Sequence, residues 1–453
     1  MDRREFLRRS ALIAAGTAAQ GVVSAKTEVQ DAASAEGTAG QDPLISSAPM
    51  LQNYAETSIG VAFSVSDMAN GYVVYGTQSD LSDGVRVKCG GFRVTDMNDQ
   101  VMQIRLTGLK PATRYYYKIG ADRIAYKHGY DMKITGSEED PRIYSFTTAG
   151  RGAASHFCVI NDTHARFETF DLLTRKIAEL SPSCVVWNGD TVNNSESIEN
   201  LKGTILTPPI TLKDYASEIP YLFSCGNHDS RGMASRHYER VWMFRQPEER
   251  LSRDWDLGRN FAVRMGDIAM IGLDTAEDKQ DTNPIFAGLF SSEDYRIAQT
   301  AWLKDALRQP EIARAPYLVA FCHIPLFDPD PTANPGDIKP DDHDPRYSDD
   351  YAYWQRACAE MWGPLLSKAG CQIVITAHQH RYRYDEPEGS RKWAQMVGGG
   401  PKLTEDARFP TVIDGKVEDG RLVITAYNMT TGEIKEARSF SPRRKRASSR
   451  RKA

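Results

Sequence analysis

The chain has 453 residues, more than one ordinary domain contains, so its length predicts two domains. Apolar residues make up 41% of the chain and charged residues 26%, a balance typical of globular proteins. The formal net charge of −4 excludes a global electrostatic field that would attract nucleic acid or an anionic membrane surface. We therefore expect no specific nucleic-acid partner, and the oligomeric state stays open.

The first 25 residues have the composition of an export signal. Paired arginines at positions 3 and 4 are followed by Phe6 and Leu7, then by an apolar stretch that ends in small residues. This pattern resembles a twin-arginine signal peptide, which implies a periplasmic or extracellular protein that is not transmembrane after cleavage. An amphipathic N-terminal helix is the alternative. Residues 26–42 are rich in Ala, Gly, Ser, Glu and Gln, and they predict a linker.

Residues 43–150 contain short alternating apolar runs separated by turn residues. Three of these runs are Ile59–Phe63, Tyr72–Tyr75 and Val101–Leu106. Such spacing predicts an all-β sandwich. The segments 106–119 and 144–148 resemble the end of a fibronectin type III-like module. Adhesion or carbohydrate binding is the competing role for this region.

Residues 151–440 alternate strand-like runs with helical periods, a pattern that predicts an α/β layer architecture. The expected helices lie near Phe170–Leu180, Ser292–Arg308 and Tyr353–Lys368. The main expected strands are Phe157–Ile160, Cys184–Trp187, Leu222–Cys225, Ile268–Leu273, Leu318–Cys322 and Ile373–Thr376. Residues 441–453 carry seven Arg and Lys residues and predict a disordered basic tail. We favour a solvated tail over one that contacts the cell envelope or nucleic acid.

The seven cysteines do not form the pattern of a disulfide framework, because their number is odd and their spacing is irregular. Four of them lie in apolar runs, where we expect them to act as small buried side chains. These four are Cys158, Cys184, Cys225 and Cys322.

Polar side chains follow five of the strand-like runs. The segments are Asn161-Asp162-Thr163-His164, Gly189-Asp190, Gly226-Asn227-His228-Asp229, His323 and His378-Gln379-His380. Each segment alone has an ordinary alternative, namely a turn or a core histidine with satisfied hydrogen bonds. Together they hold five of the nine histidines of the chain. Because ligands bind at the carboxyl edge of open α/β sheets, we expect these side chains to converge on one site.

These residue types favour two adjacent metal ions. Carboxylate, imidazole and amide groups suit Fe, Mn or Zn, and one carboxylate must bridge the pair, for which Asp190 is the natural candidate. Two ions roughly 3.5–4 Å apart can clamp a phosphate and activate a bridging hydroxide. His228 is then free to stabilise charge or protonate the leaving oxygen. Asp229 is a candidate to orient His228, with a turn or helix cap as its alternative.

The order of these motifs resembles the calcineurin-like metallophosphoesterase family over about residues 154–435. The resemblance implies a four-layer αββα sandwich, here preceded by the small all-β fibronectin type III-like module, as in purple acid phosphatase-like proteins. It also implies two ligand sets that share Asp190. The first set is Asp162, His164, Asp190 and His380, and the second is Asp190, Asn227, His323 and His378.

The predicted activity is hydrolysis of small-molecule phosphate mono- or diesters. A nucleotide or phospholipid-head-group phosphodiesterase is one alternative, and a secreted binding or adhesion protein with an inactive metal site is another. The complete set of seven ligand positions favours an enzyme. Asn193, Arg231 and His237 are candidates to contact substrate, although a turn asparagine and surface polar residues are their alternatives. The acidic segment 328–350 hints at phosphodiesters or is a solvated loop.

Two departures from the family patterns concern single residues. Ala377 stands where the family usually has glycine before the final His-x-His, which is a change of one methyl group. Purple acid phosphatases have glycine where His164 stands and a tyrosine where Asn193 stands. The chain therefore lacks the tyrosinate that would give a charge-transfer band.

We predict that the iron-loaded protein is not purple, because Asn193 cannot donate charge to iron as a tyrosinate does. Visible absorption spectra of the iron-loaded and metal-free proteins at equal concentration check this prediction. A purple preparation would contradict it.

Overall fold

The computed structural model describes residues 42–89, 100–244, 257–329 and 350–444. The predicted signal peptide, residues 26–41 of the predicted linker, residues 330–349 of the acidic segment and residues 445–453 of the basic tail lie outside the described residues.

The described residues form twenty strands and five α-helices. The strands of the N-terminal region are β1 (Met50–Gln52), β2 (Ser58–Ser64), β3 (Ala69–Gly76), β4 (Val85–Lys88), β5 (Val101–Thr107), β6 (Arg114–His128), β7 (Asp131–Glu139) and β8 (Tyr144–Thr147). The later strands are β9 (His156–Ile160), β10 (Cys184–Trp187), β11 (Tyr221–Phe223), β12 (Phe261–Met265), β13 (Ile268–Leu273), β14 (Tyr317–Cys322), β15 (Ile373–Thr376), β16 (Arg383–Asp385), β17 (Ala394–Val397), β18 (Thr411–Glu418), β19 (Arg421–Asn428) and β20 (Ile434–Phe440).

The helices are α1 (Phe167–Leu180), α2 (Ile198–Ile205), α3 (Ser292–Ala306), α4 (Pro310–Ala313) and α5 (Asp350–Ala369). Three short 3₁₀ helices cover His228–Ser230, Ser235–Arg240 and Pro284–Phe286. The expected helices and catalytic-region strands are confirmed, with ends that differ by a few residues. None of the described helices combines the length and the apolar composition needed to cross a membrane.

Two sheets form the centre of the molecule. The larger has nine strands in the order β20-β19-β18-β9-β10-β11-β1-β2-β5, and the smaller has six in the order β12-β13-β14-β15-β17-β16. Strands β9, β10 and β11 run parallel, as do β13, β14, β15 and β17. The carboxyl ends of each parallel set therefore lie at one edge of its sheet.

The sheets pack against each other and carry helices on their outer faces. Phe157 of β9 meets Phe321 of β14 between the sheets, with ring centroids 5.5 Å apart. On the opposite face of β9, Ile160 belongs to a core that includes Phe170 of α1. On the outer face of the smaller sheet, Leu303 of α3 packs in a core with β13. The layer order is therefore αββα, as the sequence predicts.

The N-terminal strands form a β-sandwich that shares one sheet with the later region. Strands β4, β3, β6, β7 and β8 make one face, and β1, β2 and β5 make the other while extending the nine-stranded sheet. Gln52 of β1 lies opposite Tyr221 of β11 in a parallel pair. The Tyr117 hydroxyl also donates to the Ser217 carbonyl at 2.6 Å. The described residues thus form one compact unit.

The cysteines have the role expected of them. None of the seven, all of which lie in the described part of the chain, forms a disulfide, and Cys158, Cys184, Cys225 and Cys322 are fully buried in the apolar cores. Burial raises the pKa of the Cys184 and Cys322 thiols, so these thiols stay protonated at neutral pH.

We predict that Gln52→Leu lowers the free energy of unfolding by about 1–3 kcal/mol, because two buried backbone groups lose their partner. The buried Gln52 amide donates to the Val241 carbonyl at 3.0 Å and accepts from the Met243 amide at 2.9 Å. Urea unfolding measures the effect. The matched control is Gln78→Leu, since Gln78 is exposed. Equal stability of the two variants would show that β1 contributes little to the later region.

Candidate metal centre

The predicted ligands follow five strands that come from both central sheets. Asp162, Asp190 and Asn227 come after β9, β10 and β11 of the larger sheet, and His323 and His378 come after β14 and β15 of the smaller one. The carboxyl edges of the two sheets thus face one another at this point. The side chains named from the sequence meet there.

The backbone at these strand ends has an unusual conformation. Five predicted ligands have positive φ, a region that non-glycine residues rarely adopt. They are Asp162, His164, Asp190, His378 and His380, with φ between 46° and 69°. Such conformations cost about 1–3 kcal/mol each and cluster at functional sites.

Two glycines allow the strand ends to approach each other closely. A Cβ atom on Gly189 would lie 2.4 Å from Nδ1 of His323, and Gly189 itself has a φ of +86°. A Cβ atom on Gly226 would lie 2.1 Å from Oδ1 of Asp190. A side chain at either position would displace a predicted ligand.

The first group of ligand atoms comprises Asp162, His164, Asp190 and His380. Asp162 Oδ1 lies 3.3 Å from Nε2 of His380 and 3.8 Å from Nε2 of His164. The two imidazole Nε2 atoms of His164 and His380 are 2.9 Å apart. Asp190 Oδ2 completes the group at 3.5 Å from His164 Nε2. All four ligand atoms lie within 4.8 Å of one another.

The second group comprises Asp190, His323 and His378. Asp190 Oδ2 lies 3.2 Å from Nε2 of His323. Asn227 joins this group, because its Oδ1 lies 3.0 Å from Nδ1 of His378. Asp190 is the residue common to both groups, which is the position that a bridging carboxylate requires.

Two buried atoms of the cluster have no hydrogen-bond partner among the residues that the structure describes. They are Oδ1 of Asp162 and Nε2 of His323, both in side chains with no exposed surface. A buried polar atom without a partner costs about 1–3 kcal/mol, and more when it is charged. Because each of these atoms faces other potential ligands, the chemistry of the donor set fits metal ions.

The electrostatics of the cluster favour positive charge. Burial opposes ionisation of Asp162 and Asp190. The charge of His380 outweighs this effect at Asp162, and that of His323 does so at Asp190, so the pKa of both carboxyls is lowered. Burial also opposes protonation of His323, yet Asp190 raises its pKa to about 10. Burial lowers the pKa of His378 to about 4, so this imidazole is neutral, as a metal ligand must be.

Neighbouring groups fix the orientation of the imidazoles. Nδ1 of His323 lies 2.8 Å from the Asn188 carbonyl, which directs Nε2 into the cluster. Nδ1 of His164 lies 3.1 Å from Oδ1 of Asn193. Contacts of this kind set the tautomer and ring orientation of metal-binding histidines. Asn193 therefore supports a ligand.

His228 lies beside the first ligand group. Its ring makes an edge contact with His164, with centroids 4.9 Å apart, and its Nδ1 meets the Asn193 carbonyl. Nε2 of His228 lies 3.2 Å from Nη1 of Arg231. Burial lowers the pKa of His228. Because a guanidinium can only donate, Nε2 of His228 is the acceptor in this contact.

Asp229 does not orient His228. Its carboxylate accepts hydrogen bonds from the backbone amides of Asp190, Thr191 and Gly226 at 2.8–3.0 Å. It also accepts from the Thr191 hydroxyl at 2.7 Å. The geometry thus differs from the expected catalytic role, because the carboxylate turns inward to the loop that carries Asp190. Asp229 is a positioning residue.

Two acidic residues that were not predicted from the sequence also belong to the site. Arg231 donates to both carboxylate oxygens of Glu277 at 2.6 and 2.7 Å and to Asp278 at 3.2 Å. Asp278 Oδ2 lies 3.5 Å from Nε2 of His378. Both acids follow the carboxyl end of β13, so the same strand-end pattern was the signal that would have found them.

A cavity of about 860 Å³ opens over the cluster. Asn193 and Arg231, two of the three substrate-contact candidates, line it. The described residues that line the cavity do not include His237. It lies on a 3₁₀ helix, and its imidazole is 3.9 Å from a carboxylate oxygen of Glu239. The cavity wall also includes six Arg and Lys side chains, namely Arg166, Arg231, Lys279, Arg381, Lys402 and Arg408.

Comparisons with known proteins agree with this geometry. The calcineurin-like phosphoesterase family model matches residues 155–382. The structure of a purple acid phosphatase from yellow lupin (Lupinus luteus) seeds is similar, with a TM-score of 0.54 and 14% identity over 87% of this chain and 74% of that chain. The structure of PhoD is also similar, with a TM-score of 0.54 and 12% identity over 90% of this chain and 95% of that chain. At these identities the likeness is one of fold, and no curated protein sequence matches the chain.

We predict that Asp229→Asn lowers the free energy of unfolding by about 1–3 kcal/mol, because an amide cannot accept all the hydrogen bonds of the carboxylate. Metal affinity should fall by about 10–100-fold, since the Asp190 loop loses its support. Urea unfolding and competition with a metal indicator measure the two effects. The control is Asp294→Asn on the exposed face of α3. If Asp229→Asn lost turnover alone, with stability and metal affinity intact, the residue would act through His228 after all.

Proposed function

The chain belongs to the calcineurin-like phosphoesterase family and is a metal-dependent phosphoester hydrolase, and we propose that it uses two metal ions to hydrolyse small-molecule phosphate mono- or diesters. The observation that carries the proposal is the position of Asp190, which belongs to both ligand groups. A carboxylate shared in this way is the feature that distinguishes a paired site from a single one.

Each proposed ion takes four ligands from the chain. One ion would be held by Asp162, His164, Asp190 and His380, and the other by Asp190, Asn227, His323 and His378. Oxygen and imidazole nitrogen donors in these numbers suit Fe, Mn or Zn. When bound, two such ions supply charge neutralisation for a phosphate and acidify a nucleophilic water.

The residues around the ligands have separate tasks in the proposed reaction. His228 lies at the cavity wall, and in the resting site its Nε2 accepts a hydrogen bond from Arg231 and carries no proton. It donates to the leaving oxygen after Nε2 has taken up a proton and separated from the guanidinium. Arg231 lies 3.2 Å from that nitrogen and positions it, while the buried Glu277 neutralises the guanidinium. Asn193 holds His164 and His228 in their mutual orientation through two different oxygen atoms.

The complete ligand set supports an enzyme over a binding protein with an inactive site. Buried charges destabilise a fold unless they have a function, so an inactive site is expected to have lost some of them. Here Asp162 and Asp190 are both present, fully buried and beside four imidazoles. The export signal proposed for residues 1–25 supports phosphate release outside the cytoplasm as one use of this activity.

We predict that Asp190→Asn lowers turnover by more than about 100-fold and reduces the bound metal below two ions per chain, because the shared ligand loses its charge. Hydrolysis of p-nitrophenyl phosphate and of bis(p-nitrophenyl) phosphate measures turnover, and elemental analysis measures metal. Removal of metal with a chelator should abolish turnover in the unmodified protein, and returned metal should restore it. Asp294→Asn is again the control. Full activity of Asp190→Asn would refute the paired site.

We predict that His228→Ala lowers turnover by about 10²–10⁴-fold while metal content is unchanged, because the variant lacks the proton donor and keeps every ligand. The loss should be larger for an alkyl phosphate than for p-nitrophenyl phosphate, since a nitrophenolate leaves without protonation. The control is His128→Ala, in the exposed β6–β7 hairpin. Equal losses with both leaving groups would rule out proton donation by His228.

A further inference from the structure

We propose that the cavity binds a second anionic group of its substrate, so that phosphate esters bearing another phosphate are preferred over simple ones. This inference rests on the proposed function, because it concerns the part of the substrate that does not react. The residues that carry it are Arg166, Arg381, Lys402 and Arg408, which we call the basic rim. All four line the cavity and are exposed.

Ion pairs among the described residues leave a net positive charge on the basic rim. Arg408 pairs with Asp406. The ion pairs among the described residues include no partner for Arg166, Arg381 or Lys402. In contrast, Arg231 and Lys279, the other cations of the cavity wall, are held by Glu277 and Asp278. The charges available to a ligand therefore lie in the basic rim.

Hydrogen bonds join the three segments that carry the basic rim. The Thr169 hydroxyl, in the first turn after Arg166, donates to the Pro401 carbonyl at 2.7 Å. The Tyr382 amide, next to Arg381, donates to the Ala407 carbonyl at 2.6 Å, and the Gly400 amide donates to the Arg408 carbonyl at 3.1 Å. The backbone that presents the cationic side chains is thus fixed before a ligand arrives.

The basic rim begins next to the proposed ligands. Arg381 follows His380 directly, and a Cβ atom on Gly400 would lie 2.8 Å from the Cβ atom of His380. His164 contacts the rings of both His380 and His228, with centroids 4.8 and 4.9 Å away. A phosphate that reacts at the ligand cluster would therefore have the basic rim on the His380 side and the proton donor on the His228 side.

The size and charge of the cavity point to a small molecule with two phosphates. A volume of about 860 Å³ is in the range of pockets that enclose one such ligand. The chain as a whole has a net charge of −4, so a positive rim is a local feature and does not reflect a basic protein. Guanidinium groups suit phosphate because their donors bind it in a bidentate manner.

The test compares binding of propyl phosphate and of its analogue with a second terminal phosphate, propane-1,3-diyl bisphosphate, each used as the phosphonate analogue, whose C–P bond the protein does not hydrolyse. Titration calorimetry on the metal-loaded protein should show about tenfold tighter binding of the bisphosphate. The double variant Arg381→Ala/Lys402→Ala should reduce this preference to about twofold or less, and Arg381→Lys should retain part of it, because the charge remains. Added salt should weaken the preference in the unmodified protein, since the rim is exposed.

The control is Lys304→Ala/Arg308→Ala, which removes two exposed positive charges of the α3 region and should keep the full preference. Equal binding of the two phosphates by the unmodified protein would overturn the inference, as would a preference that survives loss of Arg381 and Lys402. Tighter, rim-dependent binding of a single-stranded oligonucleotide would also overturn it in favour of a polymer.

Turnover is measured separately, so the two proposals fail separately. If neither p-nitrophenyl ester is hydrolysed but the bisphosphate preference depends on the basic rim, the proposed function fails and the binding inference stands. If the esters are hydrolysed without any bisphosphate preference, the reverse holds.

Discussion

Two buried carboxylates, Asp162 and Asp190, meet four imidazoles where the edges of two sheets face each other, and this charge arrangement constrains the rest of the site. Both carboxylates are buried, with at most 1% of their surface exposed. An ionised group in such a position is stable only with compensating positive charge close by. The left-handed backbone at the strand ends and the absence of side chains at Gly189 and Gly226 bring the compensating groups within reach. The local strain is therefore explained by the electrostatic requirement.

The ligands come from both sheets, so packing between the sheets determines the geometry of the site. The larger sheet supplies Asp162, His164, Asp190 and Asn227, and the smaller sheet supplies His323, His378 and His380. Contacts such as Phe157 against Phe321 hold the sheets at a fixed separation. The Asn188 amide also donates to the carbonyls of Cys322 and Ile375 across this interface. A change in the core between the sheets would thus act on metal binding even when no ligand is altered.

The sequence predicts what is local and misses what depends on distant pairing. Strands β13 and β15 have the predicted ends, because both are continuous apolar runs buried on two faces. The pairing of Gln52 with Tyr221 joins segments far apart in the chain, and no local pattern encodes it. The ligand candidates were visible because they follow strands. Glu277 and Asp278 were missed because no histidine or glycine marks the end of β13, although Glu277 lies as far beyond its strand as Asn227 does. The role of Asp229 depends on which backbone amides its side chain meets.

Opposite charges occupy one cavity without cancelling because they differ in depth. The carboxylates are buried, where a charge interacts strongly over a few ångströms, so they act on ions that enter the cluster. The basic rim is exposed, and its field extends through solvent over about 8 Å at physiological salt, a distance suited to an approaching anion. Arg231 lies between these depths and is neutralised by Glu277, so it supports His228 without repelling the metal ions. The buried charges thus act on ions at short range, and the exposed charges act on anions that approach through solvent.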